Sequence, residues 1–248
     1  MEVINPPRTF YARFGKRLLD LAVAVPLAVL LLPLMLVLAC LVRWRLGAPV
    51  LFRQERIGRD DRLFRLAKFR TMTDARDATG ALLPDGDRLT PLGLFLRKTS
   101  LDELPQLWNV LSGEMSLIGP RPLLVEYLPR YSSRQRCRHQ VLPGITGLAQ
   151  VEGRNLLSWE ARFEHDLAYV RELCLALDLQ ILWRTLRGLG DTSKTVPAGG
   201  RDVSTFMGSP ASPDDPERLP IDESRSGRCP EPSLLENPIR LDAAQPPA

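Results

Sequence analysis

The stretch LAVAVPLAVLLLPLMLVLACLV, residues 21–42, carries no formal charge over 22 positions. A helix rises about 1.5 Å per residue, so this segment is just long enough to cross a bilayer core of roughly 30 Å. It has no small-residue cleavage site, which argues against a signal peptide. The stretch therefore predicts a protein associated with a membrane, and it decides the class of fold.

Two features of this apolar run argue against a simple membrane span. Pro33 divides it into 12 and 10 residues, and each part has the length of a re-entrant or interfacial segment. Basic residues flank both ends, with Lys16 and Arg17 before the run and Arg43 and Arg45 after it. Positive charge prefers the cytoplasmic side. Both a helix that dips in and returns and a spanning helix with a tolerated proline stay open.

Asp20 lies one helical turn after Lys16 and three residues after Arg17. On a helix its carboxylate reaches either cation. These three charges are predicted to fix the end of the helix among lipid headgroups, or to form an ordinary ion pair on the helix surface.

Charge and composition divide the chain near residue 190. Residues 191–248 hold ten prolines and six basic against ten acidic residues. This composition buries too little apolar surface to offset chain entropy and predicts a disordered, acidic, Pro-rich tail. Residues 1–190 carry 27 basic and 19 acidic residues, which predicts an anionic partner such as lipid headgroups or nucleotide phosphates. No nucleic-acid-binding module accompanies the charge.

The cysteines Cys40, Cys137, Cys174 and Cys229 show no paired spacing, and two histidines provide no zinc pattern. We therefore expect unpaired thiols in a reduced compartment that faces the cytoplasm.

The body reads as an α+β, mainly helical fold. Residues 49–52 and 63–69 have the composition of short strands, linked by a turn around 58–61. Helical periodicity follows over 158–171 and 175–188. The apolar faces of these last two helices are typical of core, although the second also suits a membrane interface.

Two adjacent acids, Asp102 and Glu103, stand at the predicted start of a helix with Ser100 as its N-cap. Adjacent carboxylates repel each other, so their pairing indicates a nearby cation such as a metal or arginines. Ser100-x-x-Glu103 also fits a capping box, which is the structural alternative for Glu103. The helix dipole is expected to keep Asp102 ionised. Pro105 predicts that the first turn is irregular, or that the regular helix starts a few residues later.

Arg121 lies in the rigid turn Gly119-Pro120-Arg121-Pro122. A guanidinium held between prolines suits bidentate contact with phosphate, and the alternative is a surface arginine in a structural turn.

These motifs, in this order, resemble the bacterial sugar transferase family, the small monotopic phosphoglycosyl transferases, over roughly residues 10–190. The segments that carry the resemblance are 16–20, 68–72, 100–107, 119–122, 143–147 and 159–160. Residues 123–129 are similar to the priming enzyme of bacterial N-linked glycan assembly in particular.

The resemblance implies an EC 2.7.8-type transferase for the first membrane step of bacterial glycoconjugate assembly. Such an enzyme moves a sugar 1-phosphate, here expected to be that of an N-acetylated amino sugar, from a UDP-sugar to undecaprenyl phosphate and releases UMP. It implies a covalent phospho-sugar on Asp102, with Mg²⁺ held by Glu103 and Asp102. Arg121 resembles the family's phosphate-facing arginine. Basic positions of the nucleotide or phosphate site are matched by Arg97, Arg154, Lys68 and Arg70.

The implied architecture is monotopic, with a re-entrant helix-break-helix in residues 1–45 that bends at Pro33. Residues 46–190 form a compact catalytic domain on the cytoplasmic face of the bacterial inner membrane, and the tail 191–248 has no counterpart. Leu32 replaces the serine that often precedes the proline of the bend. The implied partners are the UDP-sugar, polyprenyl phosphate and inner-membrane lipid, without nucleic acid; downstream glycosyltransferases and a second copy of the chain stay open.

Two rival functions remain. A catalytically inactive, membrane-anchored basic adaptor has no need of Asp102, Glu103 and Arg121. A bitopic protein with an extracytoplasmic domain conflicts with the basic flank after Val42 and with unpaired cysteines.

Overall fold

The computed structural model describes residues 4–153, 156–188 and 206–208. Its helices are α1 (Lys16–Leu46), α2 (Asp85–Arg88), α3 (Pro91–Lys98), α4 (Gln106–Ser112), α5 (Ser133–Arg136), α6 (Leu148–Glu152), α7 (Trp159–Glu172) and α8 (Leu175–Gly188). Its strands are β1 (Leu51–Ile57), β2 (Leu63–Phe69), β3 (Ser116–Ile118) and β4 (Gly144–Thr146). The mainly helical α+β class is confirmed. Most of the predicted tail lies outside the described residues, as does Arg154.

One helix, α1, takes up the whole apolar run and continues through Pro26 and Pro33. We expected a break at Pro33, and the structure has a single element of 31 residues instead. A proline removes one backbone hydrogen bond but does not end a helix whose neighbouring turns consist of strong helix formers such as leucine and alanine. Only 17% of the most apolar window of this helix is buried in the protein. Most of its surface is therefore available to lipid, in keeping with membrane anchoring.

Both ends of α1 are fixed to the same body of the protein. Near its start, Arg17 donates to the carbonyls of Val110 and Leu111 at the end of α4, at 2.6 and 2.9 Å. Near its end, Val42 is fully buried in an apolar cluster that includes Phe69 of β2. The helix thus runs along the domain and does not simply project from it.

The other charges at the start of α1 also point into the protein. The Lys16 ammonium donates to Asp178 of α8 at 2.8 Å. Asp20 accepts hydrogen bonds from the Ser116 hydroxyl and the Leu117 amide, both at 2.9 Å. Partners distant in sequence therefore replace the local pairing predicted for Asp20. Contact with lipid headgroups, one of the two predicted roles, does not match this burial.

The hairpin of β1 and β2 confirms the strand predicted over 63–69 and the turn before it, with Leu51 opposite Phe69. The bounds predicted for the first strand, 49–52, are wrong, because β1 runs from Leu51 to Ile57. Arg70 follows β2 directly and donates to the carbonyls of Leu46 and Ala48 at 2.8 and 2.9 Å. A basic side chain satisfies the free carbonyls at a helix C-terminus in this way. Arg70 therefore fastens the hairpin to the end of α1.

The two predicted C-terminal helices differ in burial. Phe163, Leu167 and Val170 of α7 are buried, which confirms a core face. On α8 the predicted face is largely exposed, with Leu179 and Trp183 about half accessible. The core interpretation of α8 is wrong, because Ile181 and Asp178 turn inward instead. The exposed apolar face suits a membrane interface.

Cys40 and Cys174 are free, which confirms the expectation of unpaired thiols for these two residues. Cys229 lies outside the described residues.

Candidate active site

The acidic pair lies in a single 3-10 turn, Leu101–Glu103, that precedes α4. Ser100 is in the left-handed region, at φ 57°, and its side chain caps no amide. The predicted capping box is therefore absent from this turn, and the regular helix begins only at Gln106. Pro105 explains the delay, because a proline is tolerated at the start of a helix, where its missing N–H has no partner to lose.

Glu103 is held by two cations from distant parts of the chain. Lys68 of β2 and Arg121 donate to the same carboxylate oxygen, Oε1, at 2.6 and 2.8 Å. Burial opposes ionisation, but the Arg121 and Lys68 cations hold the pKa of Glu103 well below its usual range. Glu103 is therefore a permanent anion that orients two cations, which is a different role from the predicted cap.

The surroundings of Asp102 differ from those of Glu103. Asp102 is 7% exposed, and no donor within the described ranges makes a hydrogen bond to its carboxylate. Burial raises the pKa of Asp102 to about 6, with Lys68 opposing the shift and Glu103 adding to it. The carboxylate is mostly ionised at neutral pH and has its lone pairs free, as a nucleophile requires.

Two glycine-containing turns, at residues 119–122 and 143–147, contact each other and position Arg121. The Gly119 amide donates to the Thr146 carbonyl at 2.8 Å, and the Gly144 amide donates to the Pro120 carbonyl at 3.0 Å. A Cβ atom on Gly144 would lie 2.1 Å from the Gly119 nitrogen. The predicted turn-rich stretch 143–147 thus positions the backbone that presents Arg121.

A buried ion pair also contacts the turn that presents Arg121. Arg138 donates to the Arg121 carbonyl at 2.7 Å and pairs with Asp166 at 2.6 Å. Arg138 and Asp166 are separated by 28 residues, and no motif marks either of them, so the sequence does not predict their contact.

Asp102 and Glu103 lie in the wall of a cavity of about 920 Å³. Eight basic and five acidic side chains line this cavity, and the five acidic ones include Asp102 and Glu103. Ion pairs join Arg70 to Asp74, Arg88 to Asp85 and Arg138 to Asp166. The remaining cations are Arg56, Lys68, Arg97, Arg121 and Arg162, against Asp102 and Glu103. An excess of three positive charges in a cavity of this size favours a large, multiply anionic ligand.

The structure brings most of the predicted basic residues to this cavity, in different roles. Arg97 bonds Thr71 through Nε at 3.1 Å, and its charge stays free for a ligand. Arg70 lines the cavity, but its guanidinium is engaged with the end of α1. Pro33 does not line the cavity. Arg154 cannot be placed because it lies outside the described residues.

Two further lining residues were missed. Burial, with repulsion from Arg121, lowers the pKa of Arg56 to about 10, and its Nε finds no acceptor in the described part of the chain. The side-chain amide of Gln150 likewise has both polar atoms buried without a partner there. Arg56 is one of many evenly spaced basic residues in the sequence, so nothing singled it out.

The carboxylates can contribute to a metal site without completing one. Within residues 4–153, 156–188 and 206–208, no group of three or more His, Cys, Asp and Glu side chains could hold a metal ion. Glu103 keeps Oε2 free, and Asp102 keeps both oxygens free. Mg²⁺ is commonly held by one or two carboxylates together with substrate phosphates, so the pair fits an ion that a diphosphate helps to bind.

A protein family and several known proteins match most of this chain. The family model described as bacterial sugar transferase matches residues 11–191. An uncharacterized sugar transferase, EpsL of Bacillus subtilis, is 53% identical over 172 residues, 69% of this chain and 85% of the relative. The UDP-glucose:undecaprenyl-phosphate glucose-1-phosphate transferase of Klebsiella pneumoniae is 42% identical, over 69% of this chain and 39% of the relative.

A third relative is the UDP-N-acetylgalactosamine-undecaprenyl-phosphate N-acetylgalactosaminephosphotransferase of Aeromonas hydrophila. It is 41% identical, over 73% of this chain and 44% of the relative. The chain thus spans less than half the length of these two relatives, whose names state a reaction.

Proposed function

The chain belongs to the bacterial sugar transferase family, and on that premise we propose that it is a phosphoglycosyl transferase. It moves a sugar 1-phosphate from a UDP-sugar to polyprenyl phosphate and releases UMP. The observation that carries the proposal is the Asp102 carboxylate, which lacks a hydrogen-bond donor among the described residues and borders a cavity with three excess positive charges. Relatives named for UDP-sugar and undecaprenyl phosphate support the substrate classes.

The reaction proceeds in two displacements at one phosphorus atom. An Asp102 oxygen bonds to the β-phosphorus of the UDP-sugar, the bond from that phosphorus to the bridging oxygen breaks, and UMP leaves with the electron pair. A phosphate oxygen of the polyprenyl phosphate then bonds to the same phosphorus, and the carboxylate of Asp102 leaves. The product is a polyprenyl-diphosphate sugar, and the enzyme returns to its starting state.

Cations make this attack feasible, because a carboxylate and a diphosphate repel each other. Glu103 fixes the Lys68 ammonium and the Arg121 guanidinium beside Asp102 before substrate arrives. Prearranged charges of this kind stabilise a transition state without the cost of reorganisation. Glu103 and Asp102 would hold Mg²⁺ together with the diphosphate, and the ion would supply further neutralisation of negative charge.

The protein lies on one side of the membrane, with α1 inserted and not crossing. At about 1.5 Å per residue, the helix is long enough to cross, yet its two ends contact the same domain through Arg17 and Val42. The exposed apolar face of α8 supports a domain resting on lipid. The basic flanks of α1 favour the cytoplasmic face of the inner membrane, where the cavity can receive a water-soluble nucleotide sugar and a lipid phosphate.

The test measures UMP release by the full chain in nanodiscs with Mg²⁺, undecaprenyl phosphate and, in turn, UDP-glucose, UDP-galactose and UDP-N-acetylgalactosamine. We expect release with at least one sugar and a loss of at least about a thousandfold in Asp102→Asn. Asp85→Asn is the matched control, because Asp85 lines the same cavity but pairs with Arg88 at 3.4 Å.

Intact-protein mass after incubation with the active UDP-sugar, without acceptor, should increase by one sugar phosphate in the wild type only. Wild-type turnover in Asp102→Asn would exclude Asp102 as the nucleophile. Folded, membrane-bound protein that releases no UMP from any sugar would favour the adaptor function instead.

A further inference from the structure

Four aromatic side chains form a box between the 3-10 segment Val125–Arg130 and α7. They are Tyr127, Tyr131, Trp159 and Phe163. A fifth ring, that of Phe206, fills the box and is 1% exposed. Its centroid lies 5.1 Å from Phe163, 5.4 Å from Trp159, 5.7 Å from Tyr127 and 5.8 Å from Tyr131. These distances are those of favourable aromatic contacts.

Among the tail residues that the structure describes, 206–208, the contact is made by one residue. The Arg130 guanidinium donates to the Phe206 carbonyl, which fixes the backbone at the point of entry. The next residue, Met207, is 78% exposed, and Gly208 adopts a φ of 101° that glycine tolerates best. Of the three described residues of this segment, Phe206 alone places its side chain in the box.

The docked segment is not part of the body of the protein. The family match ends at residue 191, and Phe206 is the sole aromatic residue among residues 191–248. The seventeen residues 189–205 connect it to the end of α8. A connection of this length keeps the local concentration of Phe206 high, which favours docking of its side chain.

The box and the catalytic cavity share a wall. Trp159 and Phe163 hold Phe206 and also line the cavity that contains Asp102. The Arg162 guanidinium, one of the unpaired cations of the cavity, stacks over the Trp159 ring at 4.7 Å. Movement of Trp159 would therefore displace a charge that faces the ligand.

We propose that residues 206–208 form an intramolecular latch, with Phe206 as a positioning residue. Its ring fills the aromatic box and holds Trp159 and Arg162 in place in the wall of the cavity. The docking stands on the contacts alone, whereas the consequence for nucleotide binding rests on the proposed function.

The test compares full-length wild type, Phe206→Ala and Met207→Ala in nanodiscs. Met207→Ala is the matched control, since it removes a neighbouring apolar side chain that is exposed. We expect Phe206→Ala to lower the midpoint of thermal unfolding by about 5 °C. Below that transition, we expect it to weaken UDP binding, measured by calorimetry, about fivefold, the factor that corresponds to roughly 1 kcal/mol. Met207→Ala should match the wild type in both.

These measurements test the docking of Phe206 and its positioning role separately. If Phe206→Ala has the same midpoint of thermal unfolding as the wild type, the docking of Phe206 in the aromatic box is overturned. A lower unfolding temperature with unchanged UDP affinity would leave Phe206 as a structural contact and overturn its positioning role. Wild type that binds no UDP would count against the proposed function, while the unfolding comparison would still decide whether the latch docks.

Discussion

Two neighbouring carboxylates in one turn meet different surroundings, and the surroundings assign them different roles. Glu103 accepts from Lys68 and Arg121, so it stays ionised and holds both cations. Asp102 is buried without a donor in the described part of the chain, so its oxygens are free to react. The helix dipole expected to keep Asp102 ionised counts for less here, because the residue precedes the regular helix and burial dominates its pKa.

This difference predicts how activity depends on pH. Because burial raises the pKa of Asp102 to about 6 and the nucleophile must be deprotonated, kcat/KM should rise through about pH 6 and level off above it. A rate profile in nanodiscs checks this, with circular dichroism to show that the fold persists at the acidic end. More Mg²⁺ should move the acid limb to lower pH, since a cation favours the carboxylate. A profile that falls as the pH rises from 5 to about 7 would contradict the assignment.

At the scale of elements, two short strands position the turn that carries Arg121, a role that a large sheet has in other proteins. β3 and β4 pair in parallel, with Ser116 opposite Gly144, and the turns at their ends carry the chain to Arg121. The close approach leaves no room for a side chain at Gly144, so the glycine serves packing and not flexibility.

Gly144→Ala should therefore destabilise the protein by roughly 3 kcal/mol and reduce turnover, because the new Cβ must push Gly119 and Arg121 aside. Denaturant unfolding and UMP release measure the two effects. The matched control is Gly86→Ala, since a Cβ at Gly86 has nothing within 4 Å. Equal stability of the two variants would show that the turn shifts freely.

At the scale of the whole molecule, the question is on which side of the membrane each part lies. A helix as long and apolar as α1 could cross, but its two ends contact one domain, through Arg17 and Val42. A domain on one side of the membrane can touch both ends only if the helix returns to that side or stays near the surface.

Thiol labelling in cells tests this arrangement. Residue 8 precedes α1, and the free, exposed Cys174 follows it. In an Arg8→Cys variant, an impermeant thiol reagent should leave both positions unlabelled in intact cells and label both after permeabilisation, as quantified by peptide mass spectrometry. Labelling of one position alone in intact cells would mean that α1 spans the membrane.

The sequence by itself determined most of the elements and the position of the acidic pair. The membrane helix, the α+β class and the acidic pair were identified from local properties of the chain. These properties are an uncharged run of 22 residues, strand-like composition, helical periodicity and the ordered motifs around Asp102 and Arg121. Local signals also misled, as when the pattern Ser100-x-x-Glu103 predicted a cap.

Only the tertiary structure decided which residues meet. The Lys68–Glu103 and Arg121–Glu103 contacts, the support of Arg121 by Arg138, and the contact of Phe206 with Trp159 join residues that are 17 to 47 positions apart. Burial and partner choice depend on how elements pack, and no periodicity in the chain encodes that packing. For the same reason, packing decided that Asp102 stays free while Glu103 is held.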